Sequence, residues 1–343
     1  MTFVALTGGT GLIGSHVAEA FTSLGVPIRA LVRPGSDATF LRELGAEIAQ
    51  GDVTDPASLE RAFEGASFVI HTAGKVSDWG RAEEFEAINV QGTRDVLRAA
   101  VKVGVQDIIV TGSISSYGEE HCETPKDENS PFSPRYGYFA ESWFPSGMNL
   151  YRCSKAEATR VAMEEAQDSG VNLTVLEPAF VFGEREFHSG FYSYLQEASR
   201  GTPFLPGRTG NLFHVIYARD LAQAYVRAYE KRLQGIHRFI IGNPRVDTME
   251  RVFGLFCSLA GLTKPPRAPK WALYPIGFLL EALYTVANAK TPPTLTRARV
   301  NMFYDSICYD VSRAERLLGF RASTPLEEAI ARTVAWYKGS GHL

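Results

Sequence analysis

Short apolar runs, separated by turn residues and helix-like spacings, dominate the first half of the chain. Phe3 to Leu6, Val26 to Val32, Phe68 to His71 and Asp107 to Thr111 each read as a buried parallel strand, with a further short strand near Ala46 to Ala49. A helix is expected from about Leu12 to Leu24, with Gly25 near its C-cap. Another is expected from Asn89 to about Val103, and Asp55-Pro56 reads as the N-cap and first position of a third. The first strand, its helix and the second strand take about 30 residues, the length a parallel crossover needs.

Past Val181-Phe182-Gly183 the pattern loosens. A helix is expected to start at Phe191, and Pro203 to Gly207 reads as a loop. Trp271 to Ala289 is apolar but broken by Pro275, Gly277 and Glu281. A membrane span needs about 20 apolar residues, so this stretch reads as a core or lid helix. Shallow peripheral membrane contact through 271–289 and an oligomer surface are the alternatives. Thr324-Pro325-Leu326-Glu327 reads as a capping box opening a last helix to about Lys338.

Composition narrows the class. A chain of 343 residues with 45% hydrophobic and 21% charged residues is an ordinary globular protein. Its net charge of -3 leaves no nucleic-acid footprint. Cys122, Cys153, Cys257 and Cys308 are scattered and form no CxxC pair, which fits free thiols in the cytoplasm. The N-terminus runs straight into a strand, so no signal peptide is expected.

Candidate chemistry begins after the first strand. Gly8, Gly11 and Gly14 are spaced G-x-x-G-x-x-G, and Leu12 and Ile13 open the helix that follows. Glycines there let backbone N–H groups approach a pyrophosphate at the helix N-terminus. The fold class expected is therefore α/β, a Rossmann-type doubly wound parallel sheet with a smaller C-terminal substrate-binding lobe.

The tip of the second strand selects the cofactor. An acid there would hold a ribose 2′-hydroxyl, whereas an arginine accommodates a 2′-phosphate. Arg33 stands at that tip, so NADP is favoured over NAD, with Asp37 as a competing group. Asp52 is the candidate acceptor for the adenine amino group, and the Val53 backbone faces the same ring. Thr72 and Ala73 are small enough to let a cofactor lie close, while His71 reads as structural. Asn89 is expected to brace the neighbouring strand tip.

Tyr151 and Lys155 lie four residues apart, on one face of a helix. A neighbouring ammonium favours the phenolate, so the tyrosine exchanges its proton closer to neutral pH than a free phenol at about 10. Ser113, first after the fifth strand, is placed to hydrogen-bond a carbonyl oxygen, and Ser115 and Ser116 to serve turn geometry.

Together these features resemble the short-chain dehydrogenase/reductase superfamily, in its extended, epimerase/dehydratase branch. The resemblance rests on Thr7 to Gly14, Gly51-Asp52-Val53, Asn89 to Thr93, Ser113 with Tyr117-Gly118, and Tyr151 with Lys155. Within the branch the chain looks like the group of 3β-hydroxysteroid dehydrogenases and dihydroflavonol reductases, through Leu31-Val32-Arg33, His71-Thr72-Ala73 and Arg316 to Phe320.

The resemblance implies an NAD(P)-binding domain over 1–178 and 213–245 and a substrate lobe over 179–212 and 246–343. It implies Ser113, Tyr151 and Lys155 as catalytic residues, Lys155 and Tyr151 also against the nicotinamide ribose, and Pro178 in the wall beside the ring. It implies no metal, and a homodimer through the helices carrying Asn89 and Tyr151. Segment 213–222 looks like the family's return to the nucleotide domain, where Asp220 reads as an N-cap and His214 and Arg219 are candidates to face substrate.

Two positions depart from the family pattern. Gly112 replaces the first serine of a Ser-Ser pair, and Glu177 replaces the arginine before Pro178. The gap between Ser113 and Tyr151 is long and contains Tyr136 to Phe139 and Trp143-Phe144. That segment reads as a surface loop with its own small core or as an aromatic lid over an apolar substrate. The expected reaction interconverts a small apolar ketone and a secondary alcohol. A nucleotide-sugar epimerase or dehydratase shares the same site chemistry, and a non-catalytic cofactor-binding sensor is the rival of another kind.

Overall fold

The computed structural model describes residues 3–118, 124–187, 190–201, 205–207 and 210–343. Its centre is a seven-stranded sheet: β1 (Phe3–Thr7), β2 (Ile28–Val32), β3 (Glu47–Gln50), β4 (Ala66–His71), β5 (Asp107–Thr111), β6 (Asn172–Pro178) and β7 (Ile236–Ile241). The spatial order is β7-β6-β5-β4-β1-β2-β3, and every pair is parallel. This is a doubly wound sheet whose order reverses between β1 and β4, where such folds bind their ligands.

Successive residues of a strand face opposite ways, and the two faces carry separate cores. Val4, Leu6, Ile70 and Ile109 pack on the side of helix α1 (Leu12–Ser23). Ala5, Val69, Ile108 and Val110 pack on the side of α2 (Pro56–Phe63), α3 (Gly92–Lys102) and α4 (Gly147–Ser169). The first core continues into the C-terminal lobe, where Phe191 stacks on Phe253 at 5.2 Å between ring centroids and Phe182, Phe213 and Phe256 surround them. Helix α5 (Ala218–Lys231) packs against α1 beside the sheet, and α6 (Lys270–Val286) and α7 (Leu326–Gly339) follow in the C-terminal part.

Several boundaries differ from expectation for local reasons. β2 begins at Ile28 because the Val26 N–H is taken by Phe21 O (3.0 Å) and Pro27 has no N–H. Asn89 does not open an α-helix. It lies inside a π-helical turn, Glu86–Gln91, and α3 starts after it. Leu205–Pro206 pairs with Arg267–Ala268 as a short parallel strand, while Pro203 and Phe204 lie outside the described residues. Cys122 also lies outside them, and among the described residues Cys153, Cys257 and Cys308 form no disulfide.

The expected capping box does not form. The Thr324 hydroxyl and N–H donate to Asp220 instead (2.9 and 3.0 Å), and α7 starts without a side-chain cap. The same contact corrects Asp220. It is the third residue of α5, behind the N-cap Tyr217, and it anchors the C-terminal segment. Asp55 does cap α2, accepting from Ala57 N at 3.1 Å.

Candidate active site

The Gly8–Gly14 turn leaves β1 at the point where the strand order reverses. Gly8 has φ +74°, and a Cβ there would lie 2.5 Å from Ala73 N. A Cβ on Gly14 would lie 2.2 Å from Gly8 O and 2.7 Å from Thr72 Oγ1. Only glycine fits at either position, and the β1 and β4 tips close together: Thr72 donates through N (3.1 Å) and Oγ1 (2.8 Å) to Thr7 O. Gly11 is the N-cap of α1 and makes no side-chain cap, so the helix presents backbone donors and its dipole to the crevice. The half-buried Leu12 and Ile13 follow it. This turn fits a dinucleotide pyrophosphate.

Arg33 is the first residue past β2 and is exposed. Asp37 is occupied: bonds from the Thr39 side chain and from its N–H, the latter at 2.9 Å, hold the carboxyl below its usual range. Asp52 follows β3. Its Oδ1 accepts from Thr54 N (2.9 Å) and Thr54 Oγ1 (2.8 Å), forming a local turn. The Val53 side chain is buried in the core on the α3 side.

Two of the catalytic candidates, Ser113 and Lys155, lie at the β5 tip. Tyr151 is half-buried in the second turn of α4, and Lys155 lies one turn further, buried. The Lys155 ammonium donates to Thr111 O, the last residue of β5, at 2.6 Å. Burial pushes this lysine down to about 8, and the charge of Glu177 acts against the fall. His71 is fixed between Thr7 Oγ1 (2.7 Å) and Thr93 Oγ1 (3.1 Å). Burial and the nearby Lys155 charge push it down to about 3, so it stands neutral beside the ammonium.

Ser113 caps the short 3₁₀ turn Ile114–Tyr117, which packs on α4. Its Oγ accepts from Ser115 N at 3.2 Å and lies 2.8 Å from Ser115 Oγ. When Ser115 donates both bonds, the Ser113 proton is left for a substrate oxygen. The turn geometry expected of Ser115 and Ser116 is thus made by Ser113 and Ser115. Asn89 donates to Ser154 Oγ (2.8 Å) and clasps Lys75 through both its backbone groups (2.7 and 3.1 Å), joining α4 to the segment after β4.

Glu177 has partners that sequence reading did not find. It is fully buried in β6, accepting from Tyr117 OH at 2.6 Å and from Arg238 Nη2 of β7 at 3.1 Å. Burial raises this carboxyl, and Arg238 opposes the rise. Pro178, next in β6, is buried. No local pattern announces Arg238, because parallel strands pair only in the folded chain. His214 is also structural, held by Asn243 O (2.7 Å) and Tyr309 N (3.2 Å), and Arg219 pairs with Glu184 at 3.1 Å.

The 136–146 segment lies over the start of α4. Tyr136 and Tyr138 sit 4.8 Å apart above Arg152, and Phe139 meets Phe278 of α6 at 5.1 Å. Arg297 binds the two together: fully buried, it pairs with Glu281 at 2.9 Å and donates to Phe139 O and, at 2.5 Å, to Phe144 O. The loop is thus fastened to α6.

A glycine turn at a helix N-terminus, a Tyr–Lys pair on one helix and a serine past β5, on a doubly wound sheet, fit an NAD(P)-dependent oxidoreductase of the extended short-chain dehydrogenase class. The model of the NAD dependent epimerase/dehydratase family matches residues 4–242, and the chain belongs to that family. A 2-alkyl-3-oxoalkanoate reductase of Shewanella oneidensis is 26% identical, covering 96% of this chain and 85% of that protein. Sterol demethylase protein B of Methylococcus capsulatus is 27% identical, covering 98% of each. The crystal structure of gox2253 superposes with a TM-score of 0.80 at 26% identity over the full length of both chains.

Proposed function

We propose that this chain interconverts a ketone and a secondary alcohol on an apolar, steroid-, flavonoid- or lipid-like substrate, with NADP as cofactor. The observation that carries the reading is the buried Lys155 ammonium, anchored on Thr111 O one helical turn from Tyr151. A cation held there favours the tyrosinate, so Tyr151 gives its proton to a carbonyl oxygen in reduction and takes it back in oxidation. Ser113 donates to the same oxygen and fixes its position. Lys155 holds the nicotinamide ribose, the Gly8–Gly14 turn with Leu12 and Ile13 holds the pyrophosphate, and Thr72, Ala73 and Pro178 line the ring's side. When bound, the nicotinamide supplies or accepts the hydride.

NADP is preferred because Arg33 is a cation at the β2 tip and Asp37 is engaged with Thr39. Asp52, through the carboxylate oxygen that Thr54 does not use, and the Val53 backbone take the adenine. The aromatic 136–146 segment and α6 supply an apolar cover, and the relatives' names, an oxoalkanoate reductase and a sterol demethylase protein, point the same way. A nucleotide-sugar epimerase would need cations committed to a diphosphate in that cover, whereas Arg297 is committed to Glu281 and to the carbonyls of Phe139 and Phe144. We place the enzyme in the cytoplasm as a homodimer, with residues 179–212 and 246–343 as the substrate lobe.

Titration of the purified protein with NADPH and NADH, followed by nicotinamide fluorescence, tests the cofactor. Tighter NADPH binding, lost in Arg33→Ala, supports the reading; equal or tighter NADH binding overturns the NADP preference.

A further inference from the structure

The turn that carries Ser113 is held from outside itself. The backbone bonds at its ends are long: Ser116 N donates to Ser113 O at 3.2 Å and Gly118 N to Ser115 O at 3.4 Å. The bonds it receives from other segments are shorter. Ser116 O accepts from Ser133 N at 3.0 Å. Tyr117 O accepts from the Lys126 ammonium at 2.5 Å. Gly118 O accepts from the Tyr309 hydroxyl at 2.7 Å, with Ile114 O 3.1 Å from the same phenol. A 3₁₀ turn has few bonds of its own and poor geometry in them, so these outside donors set its shape.

Lys126 and Tyr309 reach the turn as a pair. They face each other across a parallel bridge, and Asp310 N donates to Lys126 O at 2.9 Å. Residues paired in this way project their side chains to one side. Both side chains converge on Gly118 O, with Lys126 Nζ at 3.5 Å. Tyr309 is buried, and its backbone is fixed in turn. His214 Nδ1 accepts the Tyr309 N–H at 3.2 Å while Nε2 donates to Asn243 O at 2.7 Å, and His214 N donates to Ile307 O at 2.9 Å. A residue 195 positions from Ile114 thus meets the turn that bears the serine.

The Ser113 proton depends on the shape of that turn. Ser113 Oγ accepts the Ser115 N–H at 3.2 Å and lies 2.8 Å from Ser115 Oγ. While Ser115 stays in place it can spend both donors on Ser113. Once the turn opens, the Ser113 hydroxyl is free to donate to Ser115 instead, and the substrate oxygen loses its partner. We propose that Lys126 and Tyr309 are positioning residues for Ser113, holding the turn so that the serine proton stays directed at the substrate oxygen. The proposal rests on the reading of Ser113 as the donor to a substrate carbonyl.

Tyr309→Phe keeps the ring and removes the hydroxyl, and Lys126→Met keeps the stem and removes the charge. In the full chain, hydrogen exchange of the Ser115, Ser116 and Gly118 amides should quicken roughly tenfold in each variant, the weight of one hydrogen bond, with β1 and β4 unchanged. With NADPH and androstenedione, flavanone or acetophenone, each variant should lower kcat roughly tenfold or more and leave NADPH binding and the ketone KM little changed. Lys126→Arg, which keeps a donor, should retain most of kcat. Added to Ser113→Ala, neither substitution should slow turnover further, a result that a purely structural role would not give. The same loss in the Ser113→Ala background overturns the proposal, as does unchanged exchange of the turn. Full activity of Ser113→Ala sinks the reading of Ser113, and the proposal with it. A native chain that reduces none of the three ketones tells against the ketone reading, and exchange of the turn still decides whether the pair holds it.

Discussion

A Cβ on Gly112 would lie 2.6 Å from Cγ of Glu177. The two positions where the chain departs from its family's pattern therefore occupy one space. The carboxylate in β6 fills the volume a serine side chain would take at the end of β5, and Arg238 of β7 supplies the cation that β6 lacks. Gly112→Ser should cost about 1–3 kcal/mol through overpacking. Combined with Glu177→Ala, the added cost of the serine should shrink, a coupling that a double-mutant cycle in urea would measure. Strict additivity would separate the two departures.

Glu177 also acts on Lys155 through its charge. Removing that charge in Glu177→Gln lets burial lower Lys155 below about 8. The fall of kcat/KM at high pH, where the ammonium is lost, should then move to lower pH than in the native enzyme. An unmoved alkaline limb would show that Glu177 does not set the charge of Lys155.

Lys155 itself is held at a cost. Its folded value lies below its unfolded one, so its contribution to stability is most favourable above about 10.5 and falls away as pH drops through about 8. At neutral pH the penalty is of the order of 3 kcal/mol, less what the bond to Thr111 O returns. Lys155→Met should cut turnover by about 100-fold or more and yet leave the neutral-pH melting temperature unchanged or raised. A lower melting temperature would make the lysine a structural group.

The acid limb of stability should report Glu184. Tyr217 OH (2.8 Å), Arg219 (3.1 Å) and His16 (3.4 Å) surround its carboxylate, and these bonds hold it down at about 2 despite burial. Its stabilisation is present above about 4.5 and is lost as pH falls toward about 2. Glu184→Gln should destabilise the protein at pH 7 and flatten the decline between about 4.5 and 2. An unchanged urea midpoint at pH 7 would contradict this.

Arg297 is the clasp of the cover. Arg297→Met leaves Glu281 buried without a cation and frees the carbonyls of Phe139 and Phe144, which should cost about 3–5 kcal/mol. Limited proteolysis should then cut within 136–146 before the rest of the chain. Arg297→Met/Glu281→Leu should recover much of the loss.

Local pattern made β1 to β5, the Gly8–Gly14 turn and the Tyr151–Lys155 spacing legible, because each depends on neighbours a few residues away. β5 falls at Asp107–Thr111 as its apolar run indicates. What pattern did not reveal depends on pairing across the fold. Arg238 reaches Glu177 from 61 residues away, and Arg297 reaches Phe139 from 158. Thr324 had a local partner available and took Asp220, 104 residues distant, because α5 and the C-terminal segment pack together.

The most direct test of the account is transfer of deuterium from NADPH labelled at nicotinamide C4 into a panel of apolar ketones. One deuterium per NADPH oxidised should appear at the new carbinol carbon, and Tyr151→Phe should abolish the transfer while still binding NADPH. Cofactor that is bound but never consumed, whatever ketone is offered, would contradict the account and favour an epimerase or a sensor.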